Sequence, residues 1–313
     1  MVQQSGGLRV AVTGAAGFIG RAVVDRIARG ALGEIAGLRL NDVQPIDHAG
    51  ATVIRGSYAD SDVRQRLVGD GIDILFHLAS LPGGAAERDP VLGKTVNLDG
   101  SIALLDAVAR PDGPVVVYTS SIAALGGHNG PVDANSALRP SGSYGTHKAM
   151  IEYYIADLSR RGTIDGRSVR PAGIVARPQS AYAGFATAWM SDLFHAALER
   201  RAIAIPARAT AHIWLQSIDT LADNIVHAAL MPADALPAHR AWTLPASVVR
   251  VEALVDSLSR HTGHPLRIDY GIGPTDLPPL DASGALALGF LSDGDTDALV
   301  DAVISRIENT HHA

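Results

Sequence analysis

The chain contains no cysteine, which removes disulfide frameworks and thiolate zinc sites from consideration. Aromatic residues occupy only 5% of its 313 positions. Basic residues are also in the minority, 26 Lys and Arg against 32 Asp and Glu, for a formal net charge of −6. With no cluster of Lys and Arg to offset that balance, a nucleic-acid partner is not expected. No apolar run is long enough to cross a bilayer. The opening MVQQSGG has neither the basic nor the apolar stretch of a signal peptide, so the expectation is a cytoplasmic protein with no membrane partner. The His-His pair at 311–312 is too short to capture a metal, and none is expected. The chain does have length and apolar content: 47% apolar and 19% charged residues suit a packed interior. At this size it can hold one large α/β domain, or one domain with a smaller lobe.

Short apolar segments alternate with helical ones through the first half. LRVAVTG (8–14), LRLND (38–42), ATVIRGS (51–57), DILFHLA (73–79) and PVVVYTSS (114–121) are turn-bounded and rich in β-formers. Between them GRAVVDRIARGAL (20–32) and the stretches 60–68 and 97–109 carry helical spacing. Continuous apolar strands separated by helices predict a parallel sheet covered on both faces. Right-handed crossovers then make it a doubly wound α/β fold of Rossmann type. After residue 175 the alternation fades. The expected organisation is a nucleotide-binding domain over 1–175 and a smaller, mainly substrate-binding lobe over 176–313. IWLQSID (213–219) is expected to return a strand to the main body. Trp189 and Phe194 fall in an expected helix over 185–200, as core or lid packing.

TGAAGFIG (13–20) closes the first strand and opens the first helix. Gly14 permits the tight turn, Gly17 lets a pyrophosphate approach the backbone, and Gly20 lets the helix pack against the strand. The helix N-terminus receives the negative charge. Asp42 ends the second strand, where a carboxylate would accept hydrogen bonds from both hydroxyls of an adenosine ribose. A 2′-phosphate there would meet a like charge, which favours NAD over NADP. Asp42 also reads as an ordinary strand-ending turn residue.

SGSYGTHKAM (141–150) sets Tyr144 and Lys148 one helical turn apart, on one face. A half-buried Tyr beside a snorkelling Lys would look the same. Together, however, the glycine loop, Asp42, YTSSI (118–122) and Tyr-x-x-x-Lys resemble the extended short-chain dehydrogenase/reductase family, which includes NAD-dependent epimerases and dehydratases. The resemblance implies a catalytic Ser121, Tyr144 and Lys148, with NAD contacts from Gly14, Gly17, Phe18 and Ile19. It extends these contacts to Leu78 and Ala79 in HLAS (77–80), to Asn97 in TVNLDG, and to Tyr144 and Lys148 themselves. Asn97 would support the lysine region, or simply cap the helix that follows. Ser57 stands where the family usually has an Asp for the adenine amine, so that recognition passes to a hydroxyl or to the Tyr58 backbone.

The chemistry accounts for each group. Hydride leaves carbon as the alcohol proton leaves oxygen, so a base must sit against that hydroxyl. Free tyrosine has a pKa of ~10, and a nearby ammonium lowers it. A serine orients the substrate hydroxyl and stabilises the developing charge on oxygen. The segments 159–178 and 211–217 resemble the D-erythronate dehydrogenase branch, which implies oxidation of a small sugar acid to its keto acid, by a homodimer. A nucleotide-sugar 4-epimerase or dehydratase shares the triad and remains open, as does a regulator that binds dinucleotide without turnover. A sugar acid's carboxylate needs a cation or several donors. Arg208 and His212 lead that search, followed by Arg177 and Lys94. Ser80, Ser121 and Tyr144 complete the expected substrate contacts, while His147 points off the Tyr-Lys face.

Overall fold

The computed structural model describes residues 7–128, 130–179, 187–273 and 276–311. From the N-terminus, β1 (Leu8–Thr13), α1 (Phe18–Ala28), β2 (Ile35–Asp42), β3 (Thr52–Arg55), α2 (Ser61–Val68) and β4 (Ile74–His77) follow one another. Two short helices, α3 (Gly83–Arg88) and α4 (Pro90–Lys94), lead through a π-helical turn (Thr95–Gly100) into α5 (Ser101–Val108). Then come β5 (Val115–Thr119), α6 (Ser143–Arg160), β6 (Asp165–Arg170), β7 (Gly173–Val175), α7 (Ala188–Leu198) and β8 (Ile203–Ile205). The chain continues through β9 (His212–Ser217), α8 (Ile218–Leu230), β10 (Ala241–Thr243), β11 (Ser247–Arg250) and α9 (Val251–Thr262). It ends with β12 (Ile268–Tyr270), α10 (Ser283–Ala287) and α11 (Thr296–His311). No helix among the described residues is long and apolar enough to cross a membrane.

These elements form two compact units. The first comprises Met1–Gly127, Ala137–Arg170 and Ala222–Trp242; the second comprises His128–Ser136, Pro171–Leu221 and Thr243–Ala313. The first unit reaches to Arg170 and also takes in 222–242, a segment with no nucleotide motif to mark its allegiance. IWLQSID, expected in the main sheet, instead supplies β9 to the second unit. There it pairs antiparallel with β11 and parallel with β7.

The first unit is built on a seven-stranded sheet in the order β10-β6-β5-β4-β1-β2-β3. The pairings from β3 across to β6 are parallel. Strands β1 and β4 are neighbours although two strands and two helices separate them in sequence, so the winding direction reverses between them. In doubly wound sheets the crevice beyond the carboxyl ends of such a strand pair is where ligands sit. The apolar runs explain the strands, since Val10, Ala11, Val12, Leu75 and Phe76 are all buried. One face is covered by a core that joins Leu67, Leu104, Leu105, Ile151, Ile155 and Leu158 to Leu75 and Val116.

The second unit has its own core, in which Leu193 and Phe194 of α7 meet Ile213, Leu215, Leu254, Leu258, Val300 and Ile304. Trp189 belongs to it as well. Beside the three-stranded sheet β11-β9-β7, a two-stranded parallel ribbon joins β12 to β8. The side chain of Asp293 accepts from the Ser217 amide at 2.8 Å and from the Ser217 and Thr220 hydroxyls at 2.6 Å each, fixing the turn from β9 into α8.

In the first unit the packing of α1 on β1 leaves no space for a side chain at Gly20. A Cβ there would lie 2.0 Å from the Gly14 carbonyl oxygen and 2.8 Å from the Ala15 Cα, both backbone atoms that cannot swing aside. Gly20→Ala is therefore expected to lower stability by about 1–3 kcal/mol, the usual range for overpacking. The expected reading is a reduced urea midpoint with an unchanged slope; an unaltered midpoint would show that α1 can shift freely.

Candidate active site

The loop after β1 approaches the loop after β4 at main-chain distance. Gly14 has φ +72°, and a Cβ on it would sit 2.8 Å from the Cα of Ala79. Gly17 then caps α1 with no side chain, and the first turn, Phe18 and Ile19 included, carries no acidic residue. The positive end of the helix dipole suits an anion. Asp42 lies next to this loop: Oδ2 accepts from the Ala16 amide and Oδ1 from the Gln44 amide, each at 3.0 Å. Those contacts orient the carboxylate beside the glycine loop and also make Asp42 the turn residue that the simpler reading expected. Ser57 Oγ accepts from the Ala59 amide at 3.2 Å, which leaves its proton to donate. The Tyr58 carbonyl is taken by Arg64 Nη1 at 3.1 Å. Its phenol donates to Val96 O at 2.7 Å, and burial pushes it up to about 12. A bare glycine cradle, an uncapped helix start and an oriented carboxylate at the end of β2 fit a dinucleotide.

Across the crevice, the segment after β4 is tied down on both sides. The Leu78 amide donates to Thr13 O and the Ala79 amide to Thr13 Oγ1, each at 3.3 Å. Beyond Ser80, the Leu81 main chain is gripped by Asn97, whose Oδ1 accepts from Leu81 N at 2.7 Å and whose Nδ2 donates to Leu81 O at 3.0 Å. Asn97 sits in the π-helical turn, a local widening of the helix often found at functional sites. Its amide is thus spent on the loop after β4, whereas the lysine finds its partner on β5.

Tyr144 and Lys148 fall in the first two turns of α6, as their spacing predicts. Ser121 follows β5 and caps a single 3-10 turn (Ile122–Ala124), its Oγ accepting from Ala123 N at 3.1 Å. That turn lies hard against the start of α6: a Cβ on Gly145 would come within 2.2 Å of Ala123 O. From the other side Gly83 approaches the Tyr144 ring, with 3.5 Å from its would-be Cβ to the ring edge. Lys148 is buried and donates to Thr119 O at 2.6 Å. Its Nζ lies 4.6 Å from the centroid of the Tyr118 ring and 5.5 Å from that of Tyr144. The structure therefore sets Lys148 Nζ near the Tyr144 ring and packs the turn that Ser121 caps against the start of the same helix.

Burial sets the electrostatics. It pulls the Lys148 ammonium down to about 7, against an attraction from Glu152 that raises it. His77, at the end of β4, is driven down to about 3 by burial and by the positive charge of Lys148, so its ring is neutral at neutral pH. The ring bridges Thr13 Oγ1 (2.8 Å, Nδ1) and Ser101 Oγ (2.9 Å, Nε2), linking β1 to α5. Burial first, then Tyr144, raise the Tyr118 phenol well above its ordinary value. Tyr58 and Tyr118 thus stay protonated at neutral pH, whereas Tyr144 is only half-buried.

The remaining expected residues lie elsewhere. Lys94 is exposed and bound to both oxygens of Asp99, at 2.7 and 2.6 Å. In the second unit Asp276 draws Arg208 and His212 together: its oxygens lie 3.8 Å from the guanidinium and 3.3 Å from His212 Nδ1. Arg177 joins the same unit through its main chain, which bonds to Ser191 Oγ and His195 Nε2. His147 is buried. No group of three or more metal-binding side chains occurs among the described residues. Sequence reading passed over the His77 bridge and a buried Ser120–Glu152–Arg170 cluster. The signal for both was a polar residue inside an otherwise apolar periodic run.

Comparison with known proteins agrees with this geometry. Residues 10–239 match the model of the NAD dependent epimerase/dehydratase family. The chain is 33% identical to a D-erythronate dehydrogenase of Cupriavidus necator, over 94% of this chain and 97% of that one. It is 27% identical to a D-erythronate dehydrogenase of Haemophilus influenzae, over 95% and 99%. Among solved structures, a nucleoside-diphosphate-sugar epimerase from Agrobacterium tumefaciens superposes with a TM-score of 0.84 at 27% identity, covering 96% of each chain.

Replacing Asp42 with Ala deletes the carboxylate beside the glycine loop and the charge that would repel a 2′-phosphate. The expected result is a fall of about tenfold or more in kcat/KM for NAD, on the scale of one charge-assisted hydrogen bond. The NAD to NADP ratio should narrow in the same steady-state measurement. A ratio equal to that of the wild type would leave Asp42 as a turn residue only.

Proposed function

The chain belongs to the NAD dependent epimerase/dehydratase family, and from that premise we propose that it is an NAD-dependent dehydrogenase oxidising a D-erythronate-like sugar acid to its keto acid. The observation that carries the reaction is the buried Lys148 ammonium, held on Thr119 O beside the half-buried Tyr144. Similarity along nearly the full length to two D-erythronate dehydrogenases supports the substrate class.

Gly14, Gly17 and the start of α1 at Phe18 and Ile19 would hold the pyrophosphate of NAD, Asp42 its adenosine ribose and Ser57 its adenine end. Leu78, Ala79 and Asn97 would shape the nicotinamide side through the loop after β4. When bound, NAD supplies the hydride acceptor. Tyr144 takes the proton of the substrate hydroxyl, Ser121 and Ser80 orient that hydroxyl, and Lys148 supplies the positive charge that makes the Tyr144 phenolate accessible. Arg208 and His212 would meet the substrate carboxylate, though Asp276 already shares their charge. A cytoplasmic homodimer completes the reading. Val91 and Leu92 of α4 and Met150 and Tyr153 of α6 are exposed, an apolar surface that a second copy would cover.

The direct test is NADH formation from a panel of three- to six-carbon sugar acids, set against UDP-glucose. A dehydrogenase accumulates NADH with an acid; epimerisation of UDP-glucose without net NADH would replace this reading with the epimerase one. Tyr144→Phe should lower kcat by ~10²-fold or more, the usual contribution of a general base, while NADH affinity stays close to wild type. Residual turnover above about a tenth of wild type would remove Tyr144 from that role. For the carboxylate, Arg208→Met should raise KM for the acid by about tenfold, the low end for a charge-assisted contact because of Asp276. An unchanged KM would make Arg208 a surface residue.

A further inference from the structure

Glu152 lies one helical turn beyond Lys148 and two beyond Tyr144 on α6, and it is buried. Its carboxylate is fully engaged. Arg170, the last residue of β6, donates from Nε to both oxygens at 2.9 and 3.1 Å and from Nη2 to Oε2 at 2.5 Å. The hydroxyl of Ser120, next to Ser121, donates to Oε1. One carboxylate thus pins α6 to the carboxyl ends of two neighbouring strands. Apolar residues of similar volume would hold such a junction at least as well, so stability alone does not account for a buried ion pair here.

The surroundings of Lys148 suggest what does. Its ammonium faces His77 from β4, Tyr118 and the Thr119 carbonyl from β5, and Tyr144 and Glu152 from its own helix. His77, Tyr118 and the carbonyl are uncharged at neutral pH, and the charged group that supports the ammonium is Glu152. Of the other charges on elements packed along α6, Glu87 accepts from the Tyr144 amide at 3.4 Å and acts with Lys94 and Asp99 on His147, and Asp106 acts on Tyr154. Glu152 also acts on Tyr118 and His239, and Arg170 acts on His239.

We propose that Glu152, held in place by Arg170 and Ser120, is a positioning residue that keeps Lys148 cationic beside Tyr144 and so sets the alkaline limit of turnover. The proposal rests on the roles given above to Tyr144 and Lys148. Burial opposes the ammonium, Glu152 favours it, and losing the carboxylate charge leaves burial unopposed. The sign follows: without Glu152, Lys148 gives up its proton at lower pH.

The chain has two lysines, Lys94 and Lys148, so protein labelled with ε-¹³C-lysine shows two side-chain signals, with the exposed Lys94 as internal reference. In a pH titration of the free full-length protein, Glu152→Gln should lower the Lys148 midpoint by about one unit or more and leave Lys94 unmoved. Ser120→Ala keeps the carboxylate charge and should shift Lys148 by less than about a third of that. The alkaline limb of kcat should follow the Lys148 midpoint, with KM for NAD unchanged within about twofold. A Lys148 midpoint that stays in place in Glu152→Gln, or moves equally in Ser120→Ala, overturns the proposal, as does a kcat limb that ignores it. Should Glu152→Gln fail to fold around an unpaired Arg170, the double variant Glu152→Met, Arg170→Met removes the pair without leaving a buried charge. The Arg170 cation goes with it, so the downward shift of Lys148 should be smaller but keep its sign, and an unmoved or raised midpoint overturns the proposal. The titration needs no turnover, so a wrong substrate reading appears separately, as a wild type that forms no NADH from any acid.

Discussion

A buried ammonium is the constraint around which the first unit is arranged. Taking a lysine head group out of water is costly unless dipoles and an opposite charge replace the solvent. Around Lys148 the replacements come from three places: the Thr119 carbonyl at the end of β5, the ring faces of Tyr118 and Tyr144, and the Glu152 carboxylate one turn along the helix. Each demands that β5 and α6 meet at a particular height. The contact between Gly145 and Ala123 O, too close for any side chain, is where that demand appears in the backbone.

The same compression recurs at the winding reversal between β1 and β4. Gly14 and Ala79 meet main chain to main chain, Thr13 tethers both Leu78 and Ala79, and His77 spans from Thr13 to Ser101. Asn97 then closes the other end by holding Leu81 from the π-helical turn. The loop after β4 is therefore fixed at Leu78, Ala79 and Leu81, with Ser80 between them. A loop held at both ends is suited to present a hydroxyl or a main-chain group to a ligand with little reorganisation. His77 performs this bridging as a neutral ring, because burial disfavours the charged form and the Lys148 charge disfavours it further.

Asp42 shows how one set of contacts can be compatible with two readings of a residue. Its hydrogen bonds to the Ala16 and Gln44 amides are those of a turn residue, yet they also aim the carboxylate at the side of the glycine loop where a ribose would lie. Arg208 is a contrasting case. Its sequence context suggested a cation for a substrate carboxylate, and the fold gives it a carboxylate of its own in Asp276.

Local order in the sequence was enough to establish the alternating strands and helices of the first unit. It also established the glycine loop at the head of α1, the carboxylate at the end of β2, and Tyr144 and Lys148 one turn apart on α6. Each of these depends on near neighbours: a period of two or 3.6, a glycine at a turn, two side chains one turn apart. The fold alone decided what lies between distant segments. Ser120 follows β5, Glu152 lies on α6 and Arg170 ends β6, while Thr13, His77 and Ser101 belong to β1, β4 and α5, so no local spacing announces either group. The same applies to 213–219, whose apolar run would suit either sheet. It joined the second unit because its hydrogen-bonding partners, 173–175 and 247–250, are there. Residues 222–242 joined the first. A strand's own residues determine that it is a strand, while its neighbour is chosen by main-chain pairing and side-chain burial across the whole chain.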